Sequence, residues 1–356
     1  AGDFKHQPNQ HNWVAVGPFK FQSYDKGSVA KVRRYEGYFE KDAQGRALPF
    51  MDGIDFVIIR DAGAMVSAFR ARRLDGTSRG AGFGVRPEHQ DTIVKDLGDK
   101  AWFSRVLYVG WGQKPNTMKP PWDNLELRRA VSLFFDRDKV SILSLGGSSV
   151  PGGVWTPGSQ WANADVPTWP GMSAATKEED RATAMKILKD NGWEGMKTEI
   201  LCRDIYIYLC EGWDGQMREM GFDNFLKMLD TTSLTELTAT GQYTQYFTAN
   251  TGAMPSAKYS AFCSIMCNSR SHNHDDLKVD ELFDKIVSTA DPVERNKLTQ
   301  EVERYVMKDM YYTDSWFHEV VVLAYRDRIK GLPGPQMNVH DNVDLATVWI
   351  DSSIPR

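Results

Sequence analysis

The sequence lacks any long hydrophobic run. Its longest, Val320–Ala324 with Tyr325, falls far short of the about 18 consecutive apolar residues of a membrane span. It also lacks a basic excess. Lys and Arg number 43 against 47 Asp and Glu, a net charge of −4. No basic stripe compensates, so the electrostatic footprint of a nucleic-acid binder is missing. Cysteine is scarce. Cys202, Cys210, Cys263 and Cys267 are too few for a disulfide framework and leave one bridge, two bridges or four thiols open. No Gly-rich turn runs into Gly-Lys-Ser/Thr, which excludes a phosphate loop. Gly82-Phe83-Gly84 stands alone. No Gly-x-Ser-x-Gly nucleophile elbow is present, and Gly146-Gly147-Ser148-Ser149 reads as a plain turn. The first six residues, Ala1 to His6, have neither the basic nor the apolar region of a signal peptide. A processed leader or a fragment is the expectation.

What is present points to a two-unit globular protein. At roughly 100–200 residues per domain, 356 residues suit two packed units. Apolar residues make up 41% and charged residues 25%, ordinary globular usage that provides for a sizeable core. Short apolar runs alternate with helical periodicities, so the class is α/β or α+β. Strands are expected at Val14–Val16, Phe19–Phe21, Val29–Phe39, Val106–Val109, Lys197–Leu201 and Val320–Tyr325. Ile54–Ile59 reads as a central buried strand. Asp61 is placed to cap one helix and Asp291, before Pro292, another. Asp123 with Glu126, and Thr176 with Glu179, have capping-box spacing. Asn191-Gly192 is a helix stop. Asp136-Arg137-Asp138 is expected to close a helix with local salt bridges. Three prolines between Lys114 and Trp122 mark a break, and 146–169 is a long Gly/Pro/Trp-rich loop without periodicity.

Two groups of residues carry chemistry. Cys263, Cys267, His272 and His274 fall within twelve residues, and thiolates with imidazoles are zinc ligands. A metal-dependent hydrolase built on them is the enzymatic alternative. The spacing is not that of a finger, and a disulfide or thiols beside exposed histidines is the plainer reading. His318-Glu319 reads as a structural pair beside a strand. The aromatics say more. Of 17 Phe, 13 Tyr and 11 Trp, half would fill cores. Trp111 and Trp122 flank the proline break, Trp155, Trp161 and Trp169 sit in the loop, and Tyr243, Tyr246, Phe247 and Tyr259 surround Asn250. Tryptophans in loops beside domain crossovers suit a ligand cleft.

The order of several motifs resembles one family. Val16-Gly17-Pro18-Phe19-Lys20-Phe21, Arg34-Tyr35-Glu36-Gly37-Tyr38-Phe39 and Leu48-Pro49-Phe50-Met51-Asp52-Gly53-Ile54 come first. Asp61–Asp75 follows, with Arg72 where the family has Gly. The strongest stretch runs from Asn116-Thr117-Met118-Lys119-Pro120-Pro121-Trp122-Asp123-Asn124 through Leu127-Arg128-Arg129-Ala130 to Asp136-Arg137. Trp155-Thr156-Pro157-Gly158-Ser159 and Ala184–Trp193 complete the series. The chain resembles ABC-transporter solute-binding proteins of family 5, the oligopeptide, dipeptide and nickel class.

The resemblance implies an α/β, two-lobe, periplasmic-binding-protein-like type II fold. Lobe I would comprise 1–115 and the return segment 323–356, and lobe II 116–322. Family members carry further sequence before the Gly-Pro-Phe motif, so lobe I is expected to be incomplete at its amino terminus. The implied role is capture of a peptide or small polar solute in an interlobe cleft by hinge closure, with delivery to ABC permease subunits. It implies a periplasmic or extracytoplasmic monomer with no cofactor, no metal and no catalysis. Candidate ligand contacts are Trp111, Asn116, Trp155, Tyr246, Asn250, Tyr259, Arg270 and Trp316. Peptide binders of the family often place an acid in lobe II for the ligand's amino terminus, but Thr248–Pro255 has no Asp. A buried ammonium without a counter-charge is costly, so the expectation shifts toward a sugar, an opine or another polar neutral solute.

Overall fold

The computed structural model describes residues 16–59, 61–77, 85, 87–250, 274–332 and 345–355. The chain divides into two units, one of Ala1–Val106, Val321–Gln336 and Asp341–Arg356, the other of Leu107–Val320 and Met337–His340. The divisions fall inside two strands, β4 (Ala101–Pro115) and β9 (Asp314–Arg326). Among the described residues no helix is long and apolar enough to cross a membrane.

The first unit carries a three-stranded antiparallel sheet of β1 (Phe19–Asp25), β2 (Val29–Arg34) and β3 (Gly53–Val57), with β2 in the centre. The Ile54–Ile59 run therefore lies at an edge, not in the middle, and Phe56, Val57 and Ile58 are exposed. A short apolar run does not by itself separate a central strand from an edge. Val14 and Ala15 lie outside the described residues, and β1 starts only after Pro18. Asp61 caps α1 (Ala62–Arg70) by accepting from Ala64 N, as its position predicts. Met65, Val66 and Phe69 of α1 pack with Val85, Ala324 and Ile93 of α2 (Pro87–Leu97). A two-stranded pair, β10 (Ile329–Lys330) and β11 (Trp349–Ile350), also belongs to this unit.

The second unit is built on the six-stranded mixed sheet, in the order β5-β9-β4-β8-β6-β7. Here β5 is Ser149–Val150, β6 Lys197–Arg203, β7 Asp223–Leu229 and β8 Gln245–Asn250. Its described residues form the helices α3 (Leu125–Phe134), α4 (Arg137–Leu145), α5 (Lys177–Asn191), α6 (Ile207–Glu219), α7 (Thr231–Ala239), α8 (Leu277–Ser288) and α9 (Pro292–Arg304). Leu127, Ala130, Val131 and Phe134 recur at helical spacing and bury one face of α3. Gly192 ends α5 at a φ of 68°, a left-handed position that favours glycine.

Three capping expectations change. Asn124, not Asp123, caps α3, accepting from Glu126 N and Leu127 N. Thr176 makes no cap bond and instead donates to Asp180 Oδ2 at 2.9 Å. Asp136 opens α4 by accepting from Lys139 N. Arg137 is buried and forks onto the carbonyls of Ser132, Phe135 and Gly171.

Arg128 performs a similar task on α3. Its guanidinium donates to Trp122 O, Asp123 O and Met310 O while lying 5.5 Å from the Tyr312 ring. Burial depresses its pKa, opposed by the nearby Tyr312 and Asp123. Removing it would strand buried carbonyls. Arg128→Ala should lower the unfolding free energy by about 3 kcal/mol, read from urea denaturation. A loss under about 1 kcal/mol would show that the fork is replaceable by water.

Candidate functional site

The parallel strands define where a site belongs. β6 pairs with β7 along its length and with β8 through Leu201 and Tyr246. The chain leaves β6 through α6 to β7, then crosses back to β8 on the other side. The carboxyl ends of β6 and β8 are therefore neighbours whose onward connections diverge, the position at which open α/β sheets bind ligands. β8 is antiparallel to β4, with Asn250 opposite Gly110 and Ala249 opposite Trp111.

At this edge Trp111 is fully buried. Its ring lies nearly parallel to Phe247 at 5.4 Å and meets Tyr206 edge-on at 4.7 Å. Its Nε1 donates to Glu319 Oε2 at 2.9 Å. Glu319 and His318 lie within β9, paired with Ser149 and Val150, rather than beside a strand. Arg203 ends β6 and is half-buried. Burial raises the pKa of the Tyr206 hydroxyl; the Arg203 guanidinium hydrogen-bonded to it pulls the other way, and the Glu319 charge adds to the rise. A cation, a carboxylate, a phenol and an indole thus share one end of the sheet. Arg203, half-buried, can donate hydrogen bonds to a polar solute there, while Tyr206, Glu319 and the fully buried Trp111 pack behind it. A disulfide between Cys202 and Cys210 spans the turn carrying Arg203 and Tyr206.

The other sequence candidates are distributed. Trp316 is fully buried, stacks on Trp213 at 5.4 Å and touches Phe247 at 4.9 Å, which joins it to Trp111 in one aromatic cluster. Tyr246 packs with Tyr243 on a different side of β8, where Lys114 sits 5.9 Å from its ring centroid. Burial draws the Lys114 pKa down to about 7 and pushes both tyrosines up. Asn116 donates through Nδ2 to Gly241 O and Tyr243 O, fastening the turn after β4. Trp155 lies in a core with Trp161, Trp169 and residues of α8 and α9. Asn250 ends β8, and Tyr259 and Arg270 lie outside the described residues. So do Cys263, Cys267 and His272. His274 is buried, stacks on Tyr312 at 4.6 Å and accepts from Asp276 N at 3.3 Å. Among the described residues no group of three or more His, Cys, Asp or Glu could hold a metal.

The sequence reading missed Arg203, Tyr206 and Glu303. Arg203 had a signal, being the charge that ends the run Ile200-Leu201-Cys202. Glu303 had none, since it sits on a helix among other charges. It is fully buried and accepts from Trp155 N, Asn163 N and Asn163 Nδ2 at 2.9–3.0 Å. His318 Nε2 lies 2.9 Å from Gly153 O. The two side chains hold the 152–163 loop, and a Cβ at Gly153 would strike Glu303 Oε1.

Burial raises Glu303 to about 7 against those amide donors, and lowers His318 to about 4. The raised acid stabilises the fold at low pH and loses that effect as pH climbs through 7. The depressed histidine stabilises it above 6.5 and loses that effect as pH falls through 4. Between pH 4.5 and 6.5 the two oppose each other. Relative to wild type, Glu303→Gln should gain stability with rising pH in this window and His318→Asn should lose it. Each slope should approach about 1.4 kcal/mol per pH unit, read from urea denaturation at several pH values. Parallel curves for all three proteins would refute the two opposed shifts.

Comparison with known proteins agrees with this architecture. The family described as bacterial extracellular solute-binding proteins, family 5 Middle, matches residues 2–264. A probable ABC transporter-binding protein of Deinococcus radiodurans is 29% identical over 160 residues, 40% of this chain and 26% of its own length. The match thus spans about a quarter of that relative. Two solved structures share the fold. The oligopeptide-binding protein OppA of Haemophilus influenzae, in complex with RPPGFSPFR, has a TM-score of 0.71 at 20% identity, covering 96% of this chain and 66% of its own. AgaA of A. tumefaciens R10, in complex with agropinic acid, has a TM-score of 0.72 at 18% identity, covering 94% and 67%. The fold is that of the periplasmic binding proteins, and the chain belongs to the family 5 bacterial extracellular solute-binding proteins.

Proposed function

We propose that this chain serves as the solute-binding component of an ABC importer, working outside the cytoplasm and passing its solute to permease subunits without chemical change. Family membership supports this reading. The observation that carries it is the meeting of Arg203, Tyr206, Trp111 and Glu319 at the carboxyl ends of β6 and β8. In this reading the passages of the chain at Val106/Leu107 and Val320/Val321 act as the hinge, and solute favours the closed state. These passages lie nine and two residues before the lobe bounds expected from the sequence, 1–115 with 323–356 for lobe I and 116–322 for lobe II. Asn250, the last residue of β8, is a proposed contact at the same edge. Trp111 and Trp316 act through the stack beneath it, Tyr246 and Asn116 hold β8 and the turn after β4, and Trp155 holds the loop. Tyr259 and Arg270 remain proposed contacts.

Two relatives indicate probes of different chemistry, the peptide RPPGFSPFR and agropinic acid. One of them should raise the melting temperature, since ligand at a hundredfold excess over its dissociation constant adds about 2.7 kcal/mol. A cooperative melt unmoved by both and by a tripeptide mixture would count against capture. Arg203→Ala should weaken the effective probe about tenfold while shifting the melt of the free protein by less than about 2 °C. Unchanged affinity would remove Arg203 from the site.

A further inference from the structure

The described helices of the second unit begin in two ways. Helices α3, α4, α7, α8 and α9 each start from an Asp or Asn whose side chain accepts backbone N–H groups. Helices α5 and α6 have no such cap. At α6 the cap position is Tyr206, whose ring packs against Trp111 and Phe247. The 3-10 turn before it, Asp204–Tyr206, starts at Arg203 and has no side-chain cap either. A cap would have been worth about 1 kcal/mol, and here its position is given to the residue at the sheet edge. What replaces it is covalent. Cys202, the penultimate residue of β6, is bridged to Cys210 in the first turn of α6, with Cα atoms 6.5 Å apart. Both cysteines are fully buried. The turn is thus fixed at one end by the sheet and at the other by the helix.

We propose that the Cys202–Cys210 bridge is the positioning element of the solute edge: it holds Arg203 and Tyr206 where an uncapped helix start would let them move. The proposal rests on the reading that this edge contacts solute. Its consequence is redox dependence. A dithiol delivers two electrons and two protons, the S–S bond breaks to give two thiols, and the dithiol leaves as a cyclic disulfide. Solute is then held less tightly, although the fold persists.

The test compares the oxidised chain, the chain after dithiothreitol, and the Cys202→Ser/Cys210→Ser variant. The variant makes the result independent of how slowly a dithiol reaches buried sulfur. Hydrogen exchange is read for amides 203–209 and for Lys197–Leu201 of β6, alongside affinity for RPPGFSPFR. Loss of the bridge should speed exchange of the turn about tenfold, leave β6 protected, and weaken RPPGFSPFR about fivefold. Reoxidation should restore the reduced chain. Unchanged exchange in the turn, or unchanged affinity with a loosened turn, overturns the proposal. So does faster exchange across β6 and β7 together, which marks a bridge that only stabilises the fold. If the oxidised chain does not bind RPPGFSPFR, capture of this peptide fails separately. The exchange pattern then decides whether the bridge positions the turn.

Discussion

The hydrogen bond from Trp111 to Glu319 fixes the centre of the second unit. A carboxylate on an inner strand is costly to bury without a donor. The indole on β4 supplies one at 2.9 Å and leaves its ring free to stack. That ring lies on Phe247, Phe247 meets Trp316, and Trp316 stacks on Trp213 of α6. Aromatic pairs of this kind add about 0.5–1.5 kcal/mol each beyond their area. One polar contact between β4 and β9 thereby sets the register of an aromatic column through β8 to the helix layer.

The irregular parts of this unit are held by buried and half-buried ionisable side chains. Arg128 gathers Trp122, Asp123 and Met310. Arg137 and Lys177 share the carbonyls of Phe135 and Gly171. Glu303 gathers Trp155 and Asn163. In each case an ionisable head satisfies backbone groups that no helix or sheet would pair. Between these anchors Trp155, Trp161 and Trp169 fill the volume. A long segment without periodicity can thus be ordered, because its backbone accounts are settled by single side chains and its rings supply the burial.

Much of the fold was legible in the sequence, because capping residues, helix stops and apolar periodicity are local signals. Asp61, Asp291 and Asn191-Gly192 act where they were expected. The family resemblance, carried by motif order, is matched by the profile over 2–264. The errors were of another kind. Asp123 and Asn124 differ by one residue, and only backbone geometry selects between them. Ile54–Ile59 has a core composition, yet its neighbour count depends on which strands the chain brings alongside. The site was the least legible part. Arg203 and Tyr206 reach the proposed site through the topology of β6, and Glu319 through strand adjacency, neither of which periodicity encodes. The loop tryptophans, conspicuous in the sequence, turned out to be interior packing.

The missing acid in Thr248–Pro255 shows the same limit in electrostatic terms. Read linearly, a carboxyl terminus of β8 without Asp argues that no negative charge stands at this edge. In the sheet, β4 lies between β8 and β9, and Trp111 of β4 faces Ala249 on one side while bonding Glu319 on the other. The carboxylate arrives from a strand about seventy residues later in the chain, two strand spacings or about 10 Å from β8. Glu319 also acts electrostatically on Tyr206, whose hydroxyl bonds Arg203. The edge therefore combines the Arg203 cation with a carboxylate that is nearly buried and bonded to Trp111. Which charges face a ligand in such a fold is decided by strand order, so a motif search confined to one loop misjudges both the sign and the strength of the field there.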